Sequence, residues 1–337
     1  MNFENKRIAL IGGAGFIGHN LALSLKKKGA DVCIIDGLQV NNILAFADPN
    51  KQYEERGLYR DMLDQRMQLL HQANIPFYTH DARDYHALSL TLTDIKPQVI
   101  VHLAAVAHAL RANKDPYSTF DHSLRTLENA LDCARGNVEH FIYFSSSMIY
   151  GNFPQGTVTE NQLCDPIGIY GALKFSGERI VMAYNQVFDL PYTIVRPSAL
   201  YGERCVSQRV IQKFIESALK GEEITINGDG SDCLDFTYIE DLVASIECVI
   251  YSDNSRNEIF NTTYGQSRSL SDMVRLLQKD FPHLKVNYLP KDRLMPDRGT
   301  LCVDKAKSMI GYDPQFPIEK GLPRYIEWYR SFWEGMS

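Results

Sequence analysis

A chain of 337 residues can bury one large core or two joined ones and needs no disulfide or metal to hold it. Its 23% charged and 45% hydrophobic residues and net charge of −6 suit a globular enzyme and speak against a nucleic-acid partner, which calls for a basic surface. The seven cysteines stand singly, without metal-ligand spacing, and neither a signal succession in MNFENKRIALIGG nor a membrane-length apolar run is present, so a cytoplasmic protein with no metal and no membrane contact is expected.

The first β-branched run, Arg7 to Ile11, leads through Gly12, Gly13, Ala14, Gly15, Phe16, Ile17 and Gly18 into a helical stretch, Asn20 to Lys28. Glycines in this setting let the chain turn tightly and approach a pyrophosphate, which then meets free amides at the helix start. The second strand, Asp31 to Ile35, is followed by Asp36, placed to accept both hydroxyls of an adenosine ribose and to repel a 2′-phosphate. Gly37, Leu38 and Gln39 bring no cation to offset that repulsion, so NAD is expected rather than NADP. A turn-forming aspartate is the plainer reading of the same residue.

In the long polar segment Gln39 to Asn74, Leu58, Met62, Leu63, Met67 and Leu70 recur at helical spacing and predict an additional helix, its stripe serving packing or a dimer contact. Strand three, Pro76 to Tyr78, opens onto Asp81 and Ala82, where a carboxylate either meets adenine or caps a helix. Strand four, Val99 to His102, ends in Leu103, Ala104 and Ala105, the last two small enough for a dinucleotide to lie on the backbone. His102 and His108 flank the expected cleft and receive no role. Strand five, Phe141 to Ser145, delivers Ser145, Ser146 and Ser147 to the edge where open sheets bind ligands.

Tyr170 and Lys174, four residues apart in a helical run, share one helix face. A phenol with an ordinary pKa of about 10 becomes a usable base when an ammonium and a positively charged nicotinamide ring favour the phenolate, and a neighbouring serine can relay the proton. Strand six, Tyr192 to Arg196, precedes Pro197, which is grouped with the cofactor pocket, and a further strand is expected at Glu258 to Asn261. The alternation predicts a doubly wound parallel α/β sheet of Rossmann type over residues 1–197, with segments near 234–262 packing back onto it. Residues 198–337 are expected to form a smaller α/β substrate lobe.

In order, GGAGFIG, Asp36, HLAA, SSSMIYG, YGALK, RPSALYG and LDFTYIEDL resemble the extended short-chain dehydrogenase/reductase family of nucleotide-sugar epimerases and dehydratases, over nearly the whole chain. The resemblance implies Tyr170 as acid/base, Ser146 as its partner, Lys174 on the nicotinamide ribose, and transient oxidation at C4 of a nucleotide-diphosphate sugar. It also implies a homodimer built on the helices around Asp121 to Ala134 and Ile169 to Gln186.

Departures from the family pattern narrow the reading. Where its 4,6-dehydratases carry an acidic pair working at C6 and C5, this chain has Ser147 and Met148; methionine cannot do acid/base work, which demotes that activity and the decarboxylases that keep a glutamate there. Leu234 replaces the arginine of the RDF motif and Ala199 an asparagine, both normally on the substrate diphosphate. Arg204, Arg209 and Arg298 are the replacement candidates, each equally readable as a solvated surface arginine, and Ser147 joins Ser146 and Tyr170 among the substrate contacts. Ser123, in place of a common asparagine, points to altered packing. The expected activity is that of an NAD-dependent nucleotide-sugar 4-epimerase. The alternative is a 4-dehydrogenase that releases the 4-keto sugar, with a GDP-linked heptose of surface-polysaccharide synthesis as its substrate. A noncatalytic NAD-binding regulator would be expected to have lost Tyr170 or Lys174, and both are present.

Overall fold

Short apolar runs that are buried on both faces belong in the middle of a parallel sheet, and the computed structural model, which describes residues 1–47, 55–106, 109–153, 156–292 and 294–335, places them there. Seven strands form one sheet: β1 (Arg7–Ile11), β2 (Asp31–Ile35), β3 (Phe77–Tyr78), β4 (Val99–His102), β5 (His140–Phe144), β6 (Tyr192–Arg196) and β7 (Glu258–Asn261). Their order is β7-β6-β5-β4-β1-β2-β3, and every pairing is parallel. The order reverses between β1 and β4, so the loops leaving these two strands part to opposite sides and open a crevice at the strands' carboxyl ends. Ile11 is level with both Ile35 and His102, which brings the ends of β1, β2 and β4 to one line.

Alternate residues of each strand face opposite layers. Ile8 and Leu10 point to a core shared with Leu21 and Leu25 of α1 (Phe16–Lys27) and with Leu242 and Ile246 of the helix Ile239–Tyr251. Ala9 and Ile11 face the other core, built with Leu127 and Leu131 of α3 (Thr126–Ala134) and Val181 of α4 (Gly168–Phe188). The helix expected in the long segment after β2 is α2 (Arg56–Gln72), whose Leu58, Tyr59, Met62, Leu63 and Leu70 are buried in the first of these cores.

Strand five begins and ends one residue earlier than its sequence pattern suggests, because Ser145 and Ser146 already leave the sheet for a tight turn, Ser147–Tyr150. Beyond β6 the chain forms α5 (Val210–Lys220), a parallel pair between Ile224–Asn227 and Val286–Leu289, and α6 (Ile318–Glu334). β7 then closes the edge of the main sheet against β6, Glu258 level with Thr193.

Candidate active site

Two cavities adjoin at the carboxyl ends of β1, β4 and β5 and share Ile17, Leu103, Ala105 and Arg209 in their walls. The first follows the glycine loop. Gly12 has φ +81°, and a Cβ there would stand 2.6 Å from the Ala104 nitrogen; one at Gly18 would stand 2.4 Å from the Gly13 carbonyl. Only glycine allows the loop, α1 and the end of β4 to close up in this way. Asp36 accepts from the Ala14 amide at 2.9 Å and from the Leu38 amide at 2.7 Å. Burial raises its pKa, and these two amides together with Arg66 only partly oppose that.

Asp81 is not the cap of the following helix; that cap is Asp84, which accepts from Ala87 at 3.0 Å. Asp81 instead lines the cavity, where Arg83 and Gln39 donate to it; burial works to raise its pKa, and the bonds from Arg83 outweigh that and lower it. Gly15, Phe16, Gly18, Ala82 and Ala104 complete the expected lining, and Asn41, His80, His122, Thr126 and Ser207 join them unforeseen. A cleft of close-packed backbone with a carboxylate at the tip of β2 fits a dinucleotide with a free adenosine ribose. Tyr170, Lys174 and Pro197 line the second cavity rather than the first.

The second cavity, of about 410 Å³, is lined by Tyr170, Lys174 and the three serines after β5. Ser146 caps the turn after β5, its Oγ accepting from the Met148 amide at 3.2 Å. Half-buried Tyr170 shares the cavity wall with Ser146; burial raises the phenol pKa, and Ser146, followed by Arg209 and Arg298, acts to lower it. Buried Lys174 lies one turn along α4, its Nζ 2.6 Å from the Phe144 carbonyl and 5.2 Å from the centre of the Tyr143 ring. Burial pulls its pKa down to about 8, while Glu178 pulls upward. His102 is buried against Phe141 and Tyr143 and held neutral by burial, its pKa near 3, which makes it a packing residue; His108 lies outside the described residues.

The three candidate arginines part company. Arg209 caps α5 and reaches both cavities, and its Nε is buried without a hydrogen-bond partner. Arg298 lies in the second cavity, bonded to Ser147 and Ser198. Arg204 lines neither: from a backbone turned to φ +61° its guanidinium runs to His19 at 3.1 Å and Asn20 at 3.3 Å, under α1, so it is corrected from a substrate contact to a brace. Leu234 and Ala199 both stand in the second cavity wall. Ser123, in a π-helical turn at Asp121–Arg125, takes up the Val106 amide at 3.4 Å.

Several residues of the site escaped the sequence reading. Glu178 and Arg196 form a buried ion pair behind Lys174, and Ser198, Gln208, Thr225 and Asn227 line the substrate cavity. The one available signal was Tyr170, Lys174 and Glu178 at successive intervals of four. Among the described residues, no group of three His, Cys, Asp or Glu side chains is arranged to hold a metal ion, and no helix is long and apolar enough to cross a membrane.

Comparison with known proteins agrees with this geometry. The profile of the NAD dependent epimerase/dehydratase family matches residues 8–262. A Bacillus subtilis protein described as an uncharacterized UDP-glucose epimerase is 29% identical over 336 residues, 98% of this chain and 99% of its own length. Among solved structures, a UDP-glucuronic acid 4-epimerase from Bacillus cereus, in complex with UDP-glucuronic acid and NAD, is 25% identical with a TM-score of 0.86, over 96% of this chain and 99% of its own. A UDP-glucose 4-epimerase from Thermotoga maritima, with UDP-glucose, is 26% identical with a TM-score of 0.81, over 98% and 99%.

Proposed function

The chain belongs to the NAD-dependent epimerase/dehydratase family, whose members are enzymes, and from that premise we propose that it inverts C4 of a UDP-bound pyranose. One observation carries the proposal: Tyr170, Ser146 and buried Lys174, one turn from Tyr170, stand together in the wall of a cavity that opens onto the dinucleotide cleft. Tyr170 Oη withdraws the C4 hydroxyl proton and later returns it, while Ser146 Oγ bonds the same oxygen. NAD, when bound, supplies the hydride acceptor and donor for C4. Lys174 offers its ammonium to the nicotinamide ribose and favours the phenolate. Asp36 selects the unphosphorylated adenosine ribose.

Ser147 and Met148 leave the site without the acid and base that elimination across C5 and C6 requires, which favours epimerisation over dehydration. Arg209 and Arg298 supply positive charge for the anionic substrate. The relatives' sugars differ at C6, a hydroxymethyl in UDP-glucose and a carboxylate in UDP-glucuronic acid. Incubation of the purified protein with each, followed by proton NMR and NADH absorbance, tests the reading. The C4 epimer without accumulating NADH supports it. A 4-keto-6-deoxy product would mark a dehydratase, and NADH formed in step with a released ketosugar would mark a 4-dehydrogenase.

The same reading makes the protein a cytoplasmic participant in glycan synthesis and a homodimer. The dimer contact would lie along α4 and the short helix Pro116–Phe120, where Tyr117, Phe120, Ile169, Val187 and Phe188 are exposed. Sedimentation as a monomer at micromolar concentration would remove the dimer.

A further inference from the structure

Arg298 enters the second cavity beside the serines that follow β5 and β6. Its Nη2 donates to Ser147 Oγ at 2.5 Å and Ser198 Oγ at 2.6 Å, and its Nη1 lies 3.4 Å from Met148 Sδ. Ser147 and Met148 occupy the positions from which related dehydratases act on C5 and C6 of the sugar, so a sugar bound for chemistry at C4 would turn its C6 substituent toward this guanidinium. Its charge has no partner there: Arg298 makes no ion pair among the described residues, and its Nε is buried without a hydrogen bond. Neighbouring Asp297 is taken by Lys291 at 2.6 Å. Asp235, a buried acid whose charge acts on Arg298, is already bonded to Thr263, Gly265 and Leu301.

A neutral hydroxymethyl group would be served by Ser147 and Ser198 alone, and a buried guanidinium beside it would keep its desolvation cost with nothing gained. A carboxylate removes that cost and matches the planar fork with charge-assisted bonds. A carboxylate at C6 also has no C6 hydroxyl to lose, in accord with the missing acidic pair. The diphosphate has its own donors at the start of α5, where Arg209 stands at the first position before the helix and Lys213 follows one turn later, both in the cavity wall.

On the 4-epimerase reading above, we infer that the sugar carries a carboxylate at C6 and that Arg298 reads it, so the substrate is a nucleotide-activated hexuronate. Arg298 is thus a specificity-determining residue.

The test compares UDP-glucuronate with UDP-glucose, following inversion at C4 by NMR. Wild-type protein is expected to favour the uronate in kcat/KM by about 100-fold, and this comparison requires no variant. Arg298→Met should lower kcat/KM for the uronate by about 10- to 100-fold, the worth of a charge-assisted bond, while UDP-glucose changes less, so that the ratio collapses. Arg298→Lys should restore part of the ratio. Preference of the wild type for UDP-glucose overturns the inference and leaves the epimerase reading standing. Equal loss on both sugars also overturns it, returning Arg298 to the diphosphate. Failure of the wild type to invert either sugar overturns the epimerase reading, and the inference with it.

Discussion

Arg196 grips Glu178 through two hydrogen bonds, Nε to Oε1 at 2.9 Å and Nη2 to Oε2 at 2.7 Å, and both side chains are buried. Glu178 lies one turn beyond Lys174 on α4, and Arg196 ends β6, so the pair bolts α4 to the sheet one turn from Lys174. Arg196 also donates to the Tyr150 hydroxyl at 2.8 Å, which in turn donates to Asn261 at 2.8 Å, extending the brace to β7. Removing one partner of a buried pair leaves the other charge unpaired, so Glu178→Gln should cost about 3–5 kcal/mol in urea unfolding. It also removes the charge that opposes burial at Lys174, whose pKa should fall below its present value of about 8. Adding Arg196→Met to Glu178→Gln should recover part of the lost stability; no recovery would show that the pair's charge is not what the single variant exposes.

Asp36 accepts from two backbone amides, those of Ala14 and Leu38, and lines the first cavity. Asp36→Ala should therefore reduce the preference for NAD over NADP, because ribose contacts and repulsion of the 2′-phosphate disappear together. Titration of each cofactor into cofactor-stripped protein measures the ratio. An unchanged ratio would move specificity elsewhere. Asp36→Asn keeps the shape and drops only the charge, and should separate the two contributions.

Ala14 is held from both sides, its amide by Asp36 and its carbonyl by Asn42 at 3.2 Å and by Arg66 at 3.4 Å. Arg66 reaches in from α2, fully buried, and also donates from Nε to the Arg204 carbonyl at 3.0 Å. The long segment after β2 thus clamps the cofactor loop to the loop that carries Arg209. Arg66→Met should lower stability by about 1–3 kcal/mol for the acceptors it leaves bare. It should also weaken NAD binding, so that saturating NAD raises Tm less than in the wild type. An equal Tm gain in both proteins would confine Arg66 to packing.

The glycine loop, Asp36, the three serines and the Tyr170–Lys174 pair were legible because each depends on local chain geometry: a strand, a turn, one helix face. The α2 helix was legible for the same reason, from the spacing of Leu58, Met62, Leu63, Met67 and Leu70. Arg66 on that helix was not, because a lone arginine in a polar stretch carries no sign that tertiary packing will bury it under another loop. Arg204 and Arg298 looked alike in sequence, and only folding sends one under α1 and the other to Ser147. Glu178 and Arg196 are 18 residues apart and meet only when α4 packs on β6.

Lys174 gives the site a pH signature. Burial holds its ammonium at about 8, below its ordinary 10.5. Between these values the unfolded chain keeps a proton that the folded chain has lost, so stability contributed by this site rises with pH; below about 8 both forms are protonated and the full penalty remains. Tyrosines titrate in the same range, so the quantity to follow is the difference between wild type and Lys174→Met. By about pH 10 that difference should have moved on the order of 2 kcal/mol in favour of the wild type. A flat difference would mean the ammonium is not desolvated.

Tyr170→Phe removes one hydroxyl and little packing, and should abolish C4 hydride transfer while leaving NAD and nucleotide-sugar binding nearly intact. Loss of a general base typically costs ~10²- to 10⁴-fold in rate. Ser146→Ala should keep more activity, since Tyr170 still reaches the C4 oxygen, but it removes a hydroxyl that acts to lower the phenol pKa, so its activity should need higher pH than the wild type's. Lys174→Met should shift the profile the same way, because it removes a positive charge that favours the phenolate, and should in addition release NAD more readily. Cofactor retention therefore separates the two variants, and the rate of Tyr170→Phe decides the mechanism: transfer close to the wild-type rate would sink the role assigned to this helix.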